Sequence, residues 1–407
     1  MNIWMSWQEL NSVVASKKDI YLYGRSVDWV HKCLNNLRVN PKCIIDREKT
    51  YHGKKYFDLE VYPIEKIKIH DEIFIIITAG DYEGIVDLLE SRGLKPGYNF
   101  VCSPDFQDYK KLLSFHSKNF NILISCSDYN DQTRARASRE GGGLYELNTK
   151  TFQLKKKLSG SFRQFDNYNS NLLAVDYVSR ELLFINKDYK IEKKIQLNKP
   201  NYCGLAIDNQ NHRAYIANAG DDTVLLISEL DKKKPKLSEI QFIKKPKGKN
   251  REAHVNDLYF FDDKIFFSYF SRSGNYKLGV FDGGVSHYDQ NDGNISTEMI
   301  SKLWKPHSPK IFNGKLWVLD SMRGKLISGF GSEYYNIGGF VRGLDFYNDT
   351  IVIGQSQDMY LSDRVAQGDS VSIDSGVHLF DTDSKALRFV PINKIMNIHD
   401  LKVLNIV

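Results

Sequence analysis

The sequence predicts two domains in one chain: a small α/β domain, then an all-β domain of six four-stranded units. Three observations carry this. Strand-like and helix-like periodicities alternate between Asp19 and Ser103. From Asn121 onward the helical period vanishes and β signals recur to the end. Within that β region a single pattern repeats every 40 to 50 residues or so: a polar or small residue, an alternating apolar strand, a turn rich in Asn, Asp or Gly, and a second apolar strand.

The segment "MNIWMSWQELNSVVASKKD" reads as an amphipathic helix, since it lacks the apolar core of a signal peptide. "DIYLYG" is a short strand ending in Gly24, and "SVDWVHKCLNNL" follows with Val27, Val30, Leu34 and Leu37 at helical spacing. "PKCIIDRE" is a second strand ending in Asp46, and "DEIFIIITAG" a third, apolar throughout as a strand covered on both faces should be. "DYEGIVDLLESRGL" is a second helix and "YNFVCSP" a last strand. This alternation implies a parallel sheet with right-handed crossovers, a small doubly wound domain over 1–103. "PDFQDYKKLLSFHSKNF" is a connecting helix, so 104–120 is a helical linker and the β domain is 121–407.

Five segments of the β domain share one construction. They are "RQFDNYNSNLLAVDY" from Arg163, "CGLAIDNQNHRAYIANA" from Cys203, "NDLYFFDDKIFFSYF" from Asn256, "HSPKIFNGKLWVLDS" from His307 and "RGLDFYNDTIVIGQS" from Arg342. Asn313-Gly314 in the fourth is a strong hairpin signal. Each is followed by a further strand pair. The chain ends supply the sixth unit: "HDLKVLNIV" is a first strand with nothing after it, and "NILISCSDYN" a second strand with nothing before it. The expected fold is a six-bladed β-propeller closed by pairing of strands from both ends of the domain, which leaves no open sheet edge.

Composition narrows the function classes. Hydrophobic residues at 42% and charged residues at 26% are ordinary globular usage, which argues against disorder. The formal charge of +6 is scattered over lysine-rich stretches such as "DKKKPK" and "KKPKGKNR", which read as solvated turns. No basic face interleaved with aromatics marks nucleic-acid binding. The five cysteines form no CxxC pair and fit a reducing, cytoplasmic setting. No stretch approaches the roughly 18 apolar residues of a membrane span.

In a propeller the first strand of each blade lines the channel, and the starts of these strands converge on one mouth. The aligned starts are Arg163, Cys203, Asn256, His307, Arg342 and His399, and His254 lies two residues before Asn256 on the same expected strand face. Asp257 and Asp400 should point elsewhere, with orienting a histidine as one use. Arg163 and Arg342 can clamp a carboxylate or phosphate, with Cys203 and Asn256 completing the substrate contacts. His254, His307 and His399 supply proton transfer near neutral pH, or ligands for a divalent ion, an alternative the spacing leaves open. Cys203 as a nucleophile is a minor reading. In the first domain Gly24 and Asp46 hold the places of a dinucleotide loop glycine and a ribose-binding acid. Arg25 and Val27 stand where small residues should, so NAD(P) binding is not expected.

The first domain resembles the small Rossmann-like domains attached to sugar acyltransferases and nucleotide-sugar methyltransferases. The phrases "HVNDLYF", "HSPKIFNGKLWVLDS" and "GFVRGLDFYNDTIVIGQS" resemble a bacterial family of six-bladed propellers of unknown function, found with surface-polysaccharide or secondary-metabolite gene clusters. Together the resemblances imply an enzyme of bacterial glycan biosynthesis acting on an acidic or nucleotide-linked sugar at the channel mouth, as an epimerase, lyase or lactonase-like hydrolase. The alternative is a non-catalytic carbohydrate-binding or scaffold propeller. Partner enzymes or a second copy would dock through the N-terminal domain.

Overall fold

A computed structural model describes residues 3–127, 141–243, 251–296, 298–331, 333–357, 371–382 and 384–407. Most of the "KKPKGKNR" stretch lies outside the described residues. The chain divides into two compact units, Met1–Ser117 and Lys118–Val407.

The first unit contains, in chain order, α1 (Trp7–Val14), β1 (Asp19–Tyr23), α2 (Val27–Asn36), β2 (Cys43–Ile45), β3 (Lys55–Tyr56), β4 (Leu59–Tyr62), β5 (Ile73–Ile77), α3 (Tyr82–Ser91), β6 (Phe100–Cys102) and α4 (Pro104–Ser117). Its sheet runs β3-β4-β2-β1-β5-β6 and is parallel apart from the β3/β4 hairpin. Alternate residues of β1 feed two cores. Ile20 and Leu22 pack with Leu10, Val14, Val30 and Cys33, whereas Tyr21 and Tyr23 pack with Ile85, Leu89 and Phe106. Three details differ from the sequence reading. The strand β4 joins the sheet although its four residues give too short a signal to read. Val27 is 59% exposed, so α2 turns Val30 and Cys33 inward instead. The helix α4 is more than a connector, because Phe106 sits in a core of this unit.

The second unit is a six-bladed propeller of four-stranded antiparallel sheets. Blades 1 to 5 span 162–196, 202–241, 255–303, 307–336 and 340–392. In the sixth sheet Ile398–Ile406 pairs with Phe120–Cys126, placing Leu401 opposite Ile124, and the sheet continues through Gly143–Asn148 and Gln153–Ser159. The inner strands neighbour one another around a ring. Their approach is close: a Cβ on Gly204 would lie 2.0 Å from the Asn256 carbonyl oxygen, so only glycine fits there. The Asn313-Gly314 hairpin forms as expected, with Phe312 opposite Lys315 and both turn residues at positive φ.

Every inner strand breaks register near its start, between Phe162 and Phe165, Tyr202 and Leu205, Val255 and Leu258, His307 and Lys310, Val341 and Leu344, and Ile398 and Asp400. Such irregularities free backbone N–H groups that must find acceptors. Polar side chains supply them. Gln164 Oε1 accepts from Leu205 N at 2.8 Å and Leu258 N at 2.9 Å, and Ser308 Oγ accepts from Gly343 N at 3.0 Å. Asp257 accepts from Ser308 N at 2.8 Å, and Asp400 Oδ2 from Phe165 N at 3.4 Å while its Oδ1 accepts from Leu401 N at 2.9 Å. These carboxyls therefore belt the inner strands together.

Candidate functional site

The start of the inner strands frames one mouth of the channel. Four of the expected residues, Arg163, Cys203, His254 and Asn256, line a single pocket of about 240 Å³ there, together with Tyr177, Asn201, Glu252 and Lys277. The Arg163 guanidinium lies over the Tyr177 ring at 4.3 Å, and its Nη1 is 2.9 Å from His399 Nε2. Arg342 Nη1 approaches the same imidazole at 3.2 Å, while its Nη2 bonds Ser356 Oγ at 3.0 Å and also Asn397 Oδ1. His399 is thus the wedge between two guanidiniums, and its nitrogens are engaged there rather than turned toward a substrate. Two buried donors at the pocket, Arg163 Nε and Asn256 Nδ2, have no hydrogen-bond partner among the described residues. Unsatisfied buried donors are rare in folded proteins and point to an acceptor that comes from outside.

His254 does not continue the strand face of Asn256. It precedes the strand Val255–Phe261 and has a φ of +59°, a left-handed conformation that breaks the two-residue period. The conformation is held by Asp222, which accepts from Ala253 N at 2.8 Å and His254 N at 2.7 Å. It sets the ring against Phe270, with centroids 4.3 Å apart. His254 Nδ1 is 3.1 Å from Glu252 Oε1 and 3.1 Å from the Tyr276 hydroxyl, which itself donates to Glu252. Lys277 Nζ lies 3.1 Å from Glu252 Oε2. Burial would raise the Glu252 carboxyl, but the hydrogen bonds from His254 and Tyr276 and the nearby positive charges outweigh it and bring it down to about 2. In the neutral tautomer that donates from Nδ1 to Glu252, the lone pair is on Nε2, which makes no hydrogen bond among the described residues.

His307 is not part of this pocket. It is 4% exposed, its Nδ1 contacts the Lys305 carbonyl at 2.9 Å and Ser321 Oγ at 2.7 Å, and its ring meets Phe270 and Phe340 edge-on. Burial, with the Arg342 charge second, holds its pKa well below the usual histidine value. The expectation that His307 supplies proton transfer or a metal ligand at the mouth is corrected: it is a packed, neutral side chain. Cys203 lines the pocket, yet its thiol lies 3.7 Å from the Ala217 and Val255 carbonyls and burial pushes it up to about 12. It cannot serve as a thiolate nucleophile. Among the described residues no three His, Cys, Asp or Glu side chains converge as metal ligands.

The sequence reading missed Tyr177, Glu252, Tyr276 and Lys277. Glu252 carried a signal, standing two residues before His254 in "REAHVND". Tyr276 and Lys277 lie on the long connection between Lys264–Tyr269 and Gly283–Asp289. A connection of that length is itself a functional hint.

In the first unit Asp46 Oδ2 pairs with Arg25 Nε at 2.9 Å and Oδ1 accepts from Glu48 N at 2.8 Å. Arg25 also lies over the Tyr51 ring at 3.4 Å. The acid at the ribose position is thereby engaged by the chain's own arginine. Gly24 has a φ of +106°, and a Cβ on it would lie 2.4 Å from the Ala79 Cβ. Its smallness serves the contact between neighbouring strand ends.

A family model described as a domain of unknown function, DUF4915, matches residues 205–407. No curated protein matches the chain. Among solved structures, a nidogen/laminin complex chain is 8% identical, with 70% of this chain and 98% of that chain covered and a TM-score of 0.49. A Lactobacillus plantarum protein is 12% identical, covering 70% and 100%, with a TM-score of 0.45. Virginiamycin B lyase from Staphylococcus aureus is 15% identical, covering 52% and 69%, with a TM-score of 0.37. Likenesses this distant transfer no residue roles.

Proposed function

We propose that the propeller is an enzyme of bacterial glycan biosynthesis that binds an acidic sugar at this mouth and moves a proton on it. The observation that carries the reading is the meeting, in one pocket, of two unpartnered buried donors and a histidine whose other nitrogen is held by Glu252. A carboxylate seated on Arg163 and Asn256 would place the carbon beside it near His254 Nε2. The base takes that proton while Arg163 and Asn256 hold the negative charge that develops on the carboxylate oxygens. Return of the proton to the other face gives epimerisation, and departure of a group from the next carbon gives elimination. A pocket of about 240 Å³ is below the roughly 300–1,000 Å³ of sites for drug-sized ligands. It suits one sugar ring, so the nucleotide of a nucleotide-linked sugar would remain outside.

Glucuronate and galacturonate in deuterated water test this. Wild type should exchange the hydrogen beside the carboxylate, followed by NMR. His254→Gln should lower the exchange rate by roughly 10²–10⁴-fold while leaving binding largely intact. If wild type neither binds nor exchanges either uronate, this reading fails and the non-catalytic scaffold takes its place.

A further inference from the structure

The six inner strands frame a second cavity, of about 320 Å³, nearer their hairpin ends. Its charged residues stand three positions beyond the first mouth on the same strands: Asp166 after Arg163, Lys310 after His307, Asp345 after Arg342 and Lys402 after His399. At about 3.3 Å per residue that is roughly 10 Å along the axis. The belt residues Gln164 and Asp400 also line this cavity.

The two cavities differ in charge. Here two lysines face Asp166, Asp345 and Asp400, and burial pushes the Asp400 carboxyl up to about 7, so the charges nearly cancel. Burial also works against the Lys310 ammonium, but Asp345, Asp400 and Asp166 outweigh it and keep it charged. Its nearest carboxylate oxygen, Asp345 Oδ1, is 3.6 Å away, and it makes no hydrogen bond among the described residues. At 18% exposure its three donors are open to the cavity and available to an acceptor there. Asp345 Oδ2 is occupied by Val403 N at 2.7 Å, which fixes the carboxylate and leaves Oδ1 aimed at Lys310.

We propose that this second cavity is a binding site for a neutral sugar, recognised through a pair of adjacent hydroxyls. A hydroxyl can accept from Lys310 and donate to Asp345 at once, which no simple ion can do. Near-cancelling charges give an ion little net attraction, unlike the arginine-rich first mouth. Phe165, Tyr259 and Phe346 supply the apolar wall that the C–H face of a sugar ring needs. The proposal does not depend on the chemistry assigned to the first mouth.

Saturation-transfer NMR on the full chain, with glucose, galactose, mannose and rhamnose as probes, decides it. At least one neutral sugar should give a saturable signal. Its affinity should fall at least tenfold in Lys310→Met and in Asp345→Asn, yet stay unchanged in Glu252→Gln. Should Lys310→Met fail to fold by circular dichroism, Asp345→Asn and Asp166→Asn carry the same comparison. The proposal is overturned if none of the four sugars binds wild type, or if binding survives the folded variants.

Discussion

The two mouths of the channel are built from the same six strands, about three residues apart, and differ in what reaches them. The first mouth receives Tyr276 and Lys277 from a long connection and His254 from a segment bent by a positive φ. Its chemistry is asymmetric, with guanidiniums on one side and a carboxylate-held imidazole on the other. The second is bordered by tight hairpins such as the one at Asn313-Gly314, and its polar groups come from the strands themselves. A repeated backbone therefore sets where groups converge, while the loops set what they can do. The first mouth offers an imidazole held by a carboxylate, and the second offers carboxylates facing ammonium groups.

Removing 398–407 should abolish the distinction altogether. That strand gives His399 to one mouth and Lys402 to the other, and its loss exposes the edge of Phe120–Cys126. A cooperative melt in the truncated chain at the wild-type temperature would show that the sixth blade does not need it.

The belt between the mouths should set the pH dependence of stability. Burial raises Asp257 to about 6 and Asp400 to about 7, and Asp400 also feels the charge of Asp257. Because these folded values lie above the unfolded ones, the stabilisation is complete below about pH 4 and lost as pH rises through 6 to 7. Stability should therefore fall between pH 4 and 8. Glu252 at the first mouth has the opposite sign: its contribution is present above about 4.5 and fades as pH falls toward 2. Asp400→Asn should flatten the neutral limb in urea titrations, and an unchanged slope counts against the belt.

His307→Ala comes next. The packed ring predicts a loss of about 2 kcal/mol from lost contacts and an orphaned carbonyl, with uronate affinity intact. A variant as stable as wild type that loses the ligand would return His307 to the site. Arg163→Met acts on binding and not on the fold, because it removes one charged contact to the ligand. Uronate affinity should fall by about tenfold or somewhat more, in line with about 1.5–3 kcal/mol for a charge-assisted hydrogen bond. Neutral-sugar binding should not move, and if both fall together the mouths are not independent.

Much of this architecture was legible because period and turn chemistry are local. The alternation in "HSPKIFNGKLWVLDS" and the unpaired strands at the two ends of the β domain sufficed for six blades, and counting back from each hairpin located Arg163, Asn256, Arg342 and His399. The same counting put His307 in the ring, since sequence spacing cannot tell a ring that faces a cavity from one wedged between Phe270 and Phe340. Asp257 and Asp400 do point away from the first pocket, and their partners are backbone N–H groups near irregularities that no residue type announces.

The sequence by itself determined the division into an α/β and a β domain, the blade count and the level at which polar side chains gather, because each depends on periods of a few residues. Tertiary structure alone decided which of those side chains share a pocket. Arg163 meets His399 from the far end of the chain, and Glu252 orients His254 only because Asp222 bends the backbone between blades. Hydrogen-bond satisfaction and burial depend on distances across blades, and those exist only once the ring has closed.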